Sequence, residues 1–237
     1  CVGAFFGVAS KALECGRVRF GKAEYEDAAK ALEQAARSGS EHEVILEARY
    51  WLGETYWVLG RTEPAERLFR QVVQTAPPGS DFAPWATHAS GWTALRLGDA
   101  TRARDTFAQI LASPAPSSME PWARHGLGLA NYALGRHEDA VATWTALAGK
   151  GAPAAIARDV AFWLGEALGR VGQHQRGADE LARFVQGGAH PLREPGLLRL
   201  GWWSLQAGRV KESAEAFRAF LTPATPAAAP RTGTERD

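Results

Sequence analysis

The sequence predicts an all-α chain built from about six consecutive helix pairs. Two series of glycines lead to this fold class, because both recur at nearly the same period along the chain. The first series has spacings of 37, 38, 37, 37 and 36 residues and comprises Gly16, Gly53, Gly91, Gly128, Gly165 and Gly201. The second series lies seven residues further on and comprises Gly60, Gly98, Gly135, Gly172 and Gly208, with Ala23 in its place in the first repeat.

Two further series predict how the helices of a pair pack. Five residues beyond the second glycine lies a small residue, in order Ala28, Ala65, Ala103, Ala140, Gly177 and Ser213. A large apolar residue follows four positions later, in order Leu32, Phe69, Phe107, Trp144, Leu181 and Phe217. Close approach of two helices needs small residues where the backbones meet, so we expect the large residue to fill the groove beside that contact.

In each repeat, apolar residues at three- and four-residue spacing predict one amphipathic helix on each side of the second glycine. In the second repeat they are Leu46, Tyr50, Leu52, Tyr56 and Leu59, then Leu68, Phe69, Val72 and Val73. Ser40 and Glu43 are expected to form a capping box at the first helix, and Thr62 before Pro64 to open the second. Helix breakers separate the repeats at 77–79, 114–116, 149–151 and 187–188.

This pattern resembles the tetratricopeptide repeat family, in which L-G-x2-Y is followed by A-x3-F and then by Pro. The second repeat matches it with Leu52, Gly53, Tyr56, Ala65, Phe69 and Pro77, and the resemblance extends over about residues 9 to 221. Ser90, Gly177 and Ser213 depart from the pattern. The resemblance implies a right-handed superhelical solenoid that binds a protein or peptide and is not an enzyme.

The long turns and the phrase from Tyr50 to Tyr56 are similar to the bacterial cell-envelope branch of this family. That branch includes the Tol-Pal coordinator and outer-membrane assembly lipoproteins. The resemblance therefore implies a location in the periplasm or at the periplasmic face of the outer membrane, with the cytoplasm as the alternative.

Composition excludes several other classes of function. The 237 residues are 46% hydrophobic, which is enough for a packed core, and 27 basic against 26 acidic residues give a net charge of +1. We therefore expect no nucleic-acid partner. Every apolar run is too short to span a bilayer.

The residue types of an active site or a metal site do not converge in the sequence. The six histidines are dispersed singly, and the two cysteines do not form a CxxC motif. Gly126-Leu127-Gly128 lacks the strand and the third glycine of a dinucleotide fingerprint, and 137–139 is expected to be a helix start. Cys15 is expected to be a buried thiol. We expect no catalytic residues, no cofactor and no metal.

By resemblance to the family, the first helices of the repeats line a concave groove that holds the partner. The groove residues predicted in this way are Tyr50, Glu54, Trp57, Trp85, His88, Trp92, Arg96, Trp122, His125, Tyr132, Phe162, Arg170 and Trp202. Aromatic side chains and Arg dominate interface hot spots. The alternative is that about half of these rings pack between helices. The Lys/Asn/Arg set that binds a terminal carboxylate in chaperone cofactors is not found at the mapped places.

Two other functions remain open at this level. The chain could be the substrate-recruiting domain of a longer enzyme or secretion machine, or its aromatic groove could bind a lipid or another small molecule.

The two ends differ in composition from the repeats. Residues 1–8 are apolar, and three interpretations are open: a mature lipoprotein acylated at Cys1, the remnant of a secretory signal, or the tail of a preceding helix in a longer chain. Residues 222–237 are rich in Pro, Ala and Thr and are predicted to be a disordered tail or linker.

Overall fold

The computed structural model describes residues 7–39, 41–113 and 117–222. These residues form twelve α-helices and a short 3-10 helix at Ser117–Met119, and none of them lies in a strand. The helices are α1 Val8–Gly21, α2 Tyr25–Ser38, α3 His42–Val58, α4 Thr62–Thr75, α5 Phe82–Arg96, α6 Ala100–Ala112, α7 Glu120–Ala133, α8 His137–Lys150, α9 Ala154–Arg170, α10 His174–Gln186, α11 Arg193–Gln206 and α12 Val210–Leu221. The predicted all-α fold of six helix pairs is confirmed.

The second glycine series forms the turn inside each helix pair. All five glycines of that series have a positive φ, between 73° and 80°. Ala23, which takes this place in the first repeat, has a φ of 60°. In the turn after α3, the Gly60 amide donates to the Trp57 carbonyl at 3.1 Å and the Arg61 amide donates to the Tyr56 carbonyl at 2.8 Å. The left-handed residue thus lets the chain reverse while the last carbonyls of the first helix keep hydrogen-bond partners.

The first glycine series packs against the large residues, as the sequence predicts. A Cβ atom placed on Gly53 would lie 2.6 Å from the Phe69 ring, and one placed on Gly91 would lie 2.8 Å from the Phe107 ring. The small series is buried too, and Ala65, for example, is fully buried in α4. Each large side chain therefore lies over a glycine of the partner helix, which fixes the spacing of the pair.

The prediction of the helix starts is only partly confirmed. Helix α4 begins at Thr62. The N-cap of α3 is Glu41, whose side chain makes no capping bond, and Ser40 lies outside the described residues. At α6 the Asp99 side chain accepts a hydrogen bond from the Arg102 amide. Helix α6 thus begins with a side-chain cap, whereas Glu41 does not provide one for α3.

The chain divides into two compact units, which comprise residues 1–156 and 157–237. The boundary between them lies inside α9. In the first unit α1, α3, α5 and α7 contact one another in succession, so the first helices lie side by side in one layer. In the second unit α10 contacts α11 and α11 contacts α12. One continuous solenoid over 9–221 stays a prediction, and most of the terminal segments 1–8 and 222–237 lies outside the described residues.

Candidate binding site

The first unit contains a pocket of about 410 Å³ on the layer of first helices. Helix α3 contributes Tyr50, Glu54 and Trp57, and α7 contributes Trp122. The side of α5 that faces the pocket contains Trp85, His88, Ala89 and Trp92. Three- and four-residue steps place each set on one helix face. Seven of the thirteen predicted groove residues therefore line a single pocket.

Trp85 and Trp122 are the most accessible rings of this pocket. Trp85 is 42% exposed and Trp122 is 36% exposed, although both are large apolar side chains. Neither side chain belongs to the two buried clusters formed around Phe69 and Phe107. Their faces are consequently available to a ligand without any rearrangement of the helices.

Trp92 and His88 form a coupled pair on α5. The indole Nε1–H of Trp92 donates to Nε2 of His88 at 3.0 Å, so the imidazole is neutral with its proton on Nδ1. Burial lowers the pKa of His88 to about 4, because the charged form would lose hydration. The Trp92 ring also packs edge-on against Phe107, with centroids 5.4 Å apart. Trp92 is therefore held in place by the core as well as facing the pocket.

Glu54 is the carboxylate of the pocket and is half-buried. Burial raises its pKa, and a hydrogen bond from the Tyr50 hydroxyl partly offsets this effect. The pKa of Tyr50 is raised as well, first by burial and then by the nearby Glu54 charge. Among the described residues Glu54 forms no ion pair, so its negative charge faces an aromatic pocket without a protein cation.

Trp57 lines the pocket and contacts Arg96, which is not part of the lining. The Arg96 guanidinium lies over the Trp57 ring, 4.4 Å from its centroid, and Nη1 of Arg96 donates to the Trp57 carbonyl at 3.1 Å. This arrangement joins α5 to the end of α3 and covers one face of the Trp57 indole.

Other predicted groove residues belong to the interior. His125 is 5% exposed, and its Nδ1 accepts a hydrogen bond from Nε1 of the buried Trp144 at 3.1 Å. Phe162 is buried in the core of the second unit with Leu181 and Phe184. Neither ring reaches the surface, because each fills the space between neighbouring helices. Their assignment to an accessible groove surface is therefore corrected.

The remaining predicted residues lie apart from the pocket lining. Tyr132 is half-buried against the His137 ring at 5.0 Å. In the second unit, Arg170 is exposed and pairs with Glu166 at 2.9 Å, and Trp202 is exposed on α11. A role of these residues in binding stays a prediction.

Sequence reasoning assigned Phe69 only to packing and did not select Ala89. Phe69 also forms part of the pocket lining, because its ring extends from α4 past Gly53 to the layer of first helices. The sequence contained a signal for this position of Phe69, since the large residue of each repeat faces a glycine of the first helix. Ala89 is too small to give a signal of its own.

The described residues contain no group of His, Cys, Asp or Glu that could hold a metal ion, and none of their helices is long and apolar enough to cross a membrane. A Cβ on Gly126 would overlap the Phe107 ring, so packing accounts for this glycine. The predicted helix start at His137 is confirmed. Cys15 is only half-buried, which corrects the expected burial of this residue.

A family model matches the repeats by sequence. The model described as tetratricopeptide repeat matches residues 13–80 and 88–155, which together are more than half of the chain. The chain belongs to the tetratricopeptide repeat family. Tetratricopeptide repeat proteins are generally non-catalytic scaffolds for protein–protein interaction. No curated protein matched this tetratricopeptide repeat chain by sequence.

Solved structures with this fold include PilW and PilF. PilW, described as a widely conserved type IV pilus biogenesis factor, is 17% identical with a TM-score of 0.71 over 92% of this chain and 94% of its own. PilF of Pseudomonas aeruginosa is 12% identical with a TM-score of 0.67 over 90% of both chains. A tetratricopeptide repeat protein of Parabacteroides merdae is 15% identical with a TM-score of 0.62 over 90% of this chain and 77% of its own. At these identities the likeness concerns the fold.

Proposed function

We propose that this tetratricopeptide repeat chain is a non-catalytic protein-binding module. Its ligand is an extended or helical peptide segment that lies across α3, α5 and α7 and contacts Trp57, Trp92 and Trp122. The observation that carries the proposal is the 410 Å³ pocket, in which aromatic side chains from three successive first helices face solvent. Large exposed aromatic patches are uncommon on soluble proteins and usually mark interaction sites.

The nature of the rings supports a binding role over a purely structural one. Trp and Tyr are enriched among hot spots because they supply a large, rigid contact area with few rotatable bonds. Trp85 and Trp122 would gain burial only when a partner covers them, since both are more than a third exposed in the free chain. By contrast, Trp144 in the same unit is fully buried and serves the core.

Selection from a library tests this proposal without knowledge of the natural partner. Random peptides displayed on phage are selected against the wild-type chain, and the dissociation constants of the enriched peptides are measured by calorimetry. We expect Trp122→Ala to weaken binding by about 2 kcal/mol, or about thirtyfold, while the melting temperature changes little.

The matched control is Phe220→Ala, which removes an exposed aromatic ring of α12 that lies outside the pocket. It should leave the dissociation constants unchanged. Enriched peptides that bind Trp122→Ala as tightly as the wild type would exclude the pocket as the binding site.

A small-molecule ligand is the second candidate, and the size of the pocket favours it. Ligand pockets typically have volumes of about 300 to 1,000 Å³ and mostly apolar linings, and this pocket meets both criteria. Native mass spectrometry of the chain purified from its host would show a bound apolar ligand in that case. Loss of that mass in Trp122→Ala would assign the ligand to this pocket.

For the location of the chain we propose the bacterial envelope, on the periplasmic side. The fold of PilW, whose description concerns type IV pilus biogenesis, supports this proposal together with the sequence resemblance to envelope members. Cys1, the candidate for lipidation, lies outside the described residues. Fractionation of the native host tests both points: Cys1→Ser should move the protein from the membrane fraction to the soluble periplasmic fraction, and a cytoplasmic wild-type protein would refute the location.

A further inference from the structure

Three buried or half-buried carboxylates of the described chain have different surroundings. Glu66 is 3% exposed and pairs with Arg70 at 3.0 Å and with Arg102 at 2.9 Å. Glu166 is 2% exposed and pairs with Arg170 at 2.9 Å and with Arg199 at 3.3 Å. Both carboxylates therefore receive two guanidinium groups from their own chain, which compensates the cost of burying a charge.

Glu54 has no such compensation among the described residues. Its hydrogen bond comes from the neutral Tyr50 hydroxyl, and no Lys, Arg or His of the described residues approaches it within ion-pair distance. Arg96 is close in the fold but stacks on Trp57 and binds the Trp57 carbonyl. A partly desolvated carboxylate without a cation is unfavourable, so a cation brought by a ligand would gain both charge pairing and better burial.

The rings around Glu54 are suited to a cation as well as to apolar groups. Indole faces have a negative electrostatic potential and attract cations within about 6 Å of the ring centroid. Trp85 and Trp122 are the exposed indoles of the lining, which also contains Tyr50, Trp92 and Glu54. A carboxylate within an aromatic pocket is thus complementary to a cationic group that is flat, weakly hydrated and singly charged.

A guanidinium meets this requirement better than an ammonium group. It is planar, stacks on aromatic rings, and presents paired N–H donors that match a carboxylate. The chain itself uses this stacking at other rings: Arg96 lies over Trp57 at 4.4 Å, and Arg17 lies over Trp51 at 5.6 Å.

We propose that the pocket binds an arginine side chain of the partner peptide, with the guanidinium stacked on the indoles and paired with Glu54. This inference rests on the proposed peptide-binding function and specifies its ligand chemistry. Glu54 supplies the charge, and Trp85 and Trp122 supply the stacking faces.

Three short peptides test the inference on the full chain. The probes are acetyl-Ala-Ala-Arg-Ala-Ala-amide and its analogues with citrulline or norleucine in place of arginine. Citrulline keeps the shape and most donors of arginine but has no charge, and norleucine is apolar. Binding is followed by the indole N–H signals of the tryptophans in NMR spectra, which detect dissociation constants into the millimolar range.

The expected result has two parts. The arginine peptide should shift the indole signals of Trp85 and Trp122 and bind about tenfold more tightly than the citrulline peptide, because a charge-assisted contact is lost. Glu54→Gln should remove this difference, since glutamine keeps the size of the side chain but not its charge. Glu215→Gln, at an exposed glutamate of α12, is the matched control and should keep the tenfold difference.

Other outcomes overturn the inference in distinguishable ways. If the norleucine peptide binds as tightly as the arginine peptide, the pocket is apolar in its preference, and the peptide-binding function stands without the arginine. If Glu54→Gln and wild type discriminate equally, the charge of Glu54 is not the determinant. If none of the three peptides shifts an indole signal, the inference fails, and the library selection decides the proposed function separately.

Discussion

Ala23 is the residue with the least favourable backbone conformation among those described. It has a φ of 60° where the five later repeats place glycine, and it is the one non-glycine residue of the described ranges with a positive φ. The left-handed region costs an L-residue about 1 to 2 kcal/mol relative to glycine. We expect Ala23→Gly to raise the free energy of unfolding by roughly 0.5 to 1 kcal/mol, after allowance for the greater entropy of glycine in the unfolded chain.

Gly60→Ala is the matched control, because Gly60 has a φ of 76° and a Cβ there would have no neighbour within 4 Å. This change should lower the free energy of unfolding by about 1 kcal/mol through the backbone alone. Both values follow from urea titration. A lower stability of Ala23→Gly would contradict the assignment of strain to this turn.

His88 makes the stability of the chain depend on pH. Burial lowers its pKa to about 4 in the folded chain, whereas an unfolded histidine titrates near pH 6.5. Below about pH 6.5 the unfolded state therefore binds the extra proton, and the contribution of neutral His88 is lost as the pH falls towards 4. We expect the melting temperature to decrease over this interval in the wild type.

His88→Gln isolates this effect, since the glutamine side chain also has an oxygen that can accept a hydrogen bond from Trp92. The difference in unfolding free energy between wild type and His88→Gln should shrink as the pH falls from about 6.5 to about 4. Glu54 has a raised pKa and acts in the opposite sense, but it is present in both proteins. A difference that is constant with pH would mean that His88 is not buried as a neutral ring.

Equivalent places of the repeat show where sequence reasoning at the residue scale fails. His88 and His125 lie 37 residues apart and occupy the same place, yet His88 lines the pocket and His125 is buried. The cause lies in the second helix of each pair, where Trp144 replaces Phe107 and donates a hydrogen bond to His125. The spacing predicts which side of the helix carries each histidine. It does not predict which aromatic ring of the second helix the histidine contacts.

At the scale of helix pairs, the contact between Gly53 and Phe69 sets the distance between α3 and α4. We expect Gly53→Ala to lower the free energy of unfolding by about 1 to 3 kcal/mol, because the added methyl group overpacks this contact. Gly149→Ala, on the exposed side of α8, is the matched control, since a Cβ there would have no neighbour within 4 Å. It should instead raise stability by up to about 1 kcal/mol through helix propensity.

Thermal and urea unfolding of both variants check this prediction. If the two changes altered the free energy of unfolding equally, helix propensity and not packing would account for the effect at Gly53. That outcome would contradict the role of the first glycine series in packing.

The helices themselves could be predicted almost fully from the glycine series and the apolar spacing. Their starts were less predictable, because Ser40 and Glu43 give a capping signal while the N-cap of α3 is Glu41. The departure at Ser90 also had no explanation in the sequence. In the structure the Ser90 hydroxyl donates to the buried Glu66 carboxylate at 3.0 Å, a contact between helices that no periodic pattern records.

At the scale of the whole molecule, the contacts between described helices of the first unit join near neighbours along the chain. The contacts join consecutive helices and successive first helices, such as α3 with α5 and α5 with α7. The stability of such an array is approximately a sum of repeat terms and nearest-neighbour interfaces. Removal of repeats from one end should therefore weaken the remainder without changing its structure.

Two truncations test this additivity together with the location of the pocket. The fragment 1–151 ends in the turn after α8 and keeps every residue of the pocket lining, so it should remain helical and bind library-selected peptides as the full chain does. The fragment 1–113 loses α7 and Trp122. It should still be helical, but its free energy of unfolding should be lower than that of 1–151 by the contribution of at least one interface between helices. Its affinity for the peptides should fall about thirtyfold, as for Trp122→Ala.

Far-ultraviolet circular dichroism, urea titration and calorimetry measure these properties on the same samples. A fragment 1–151 that is unfolded would show that its stability depends on residues beyond α8, contrary to a nearest-neighbour array. A fragment 1–113 that binds as tightly as 1–151 would place the ligand away from Trp122. Because the first outcome concerns packing and the second concerns the site, the two fragments separate the fold from the function that it supports.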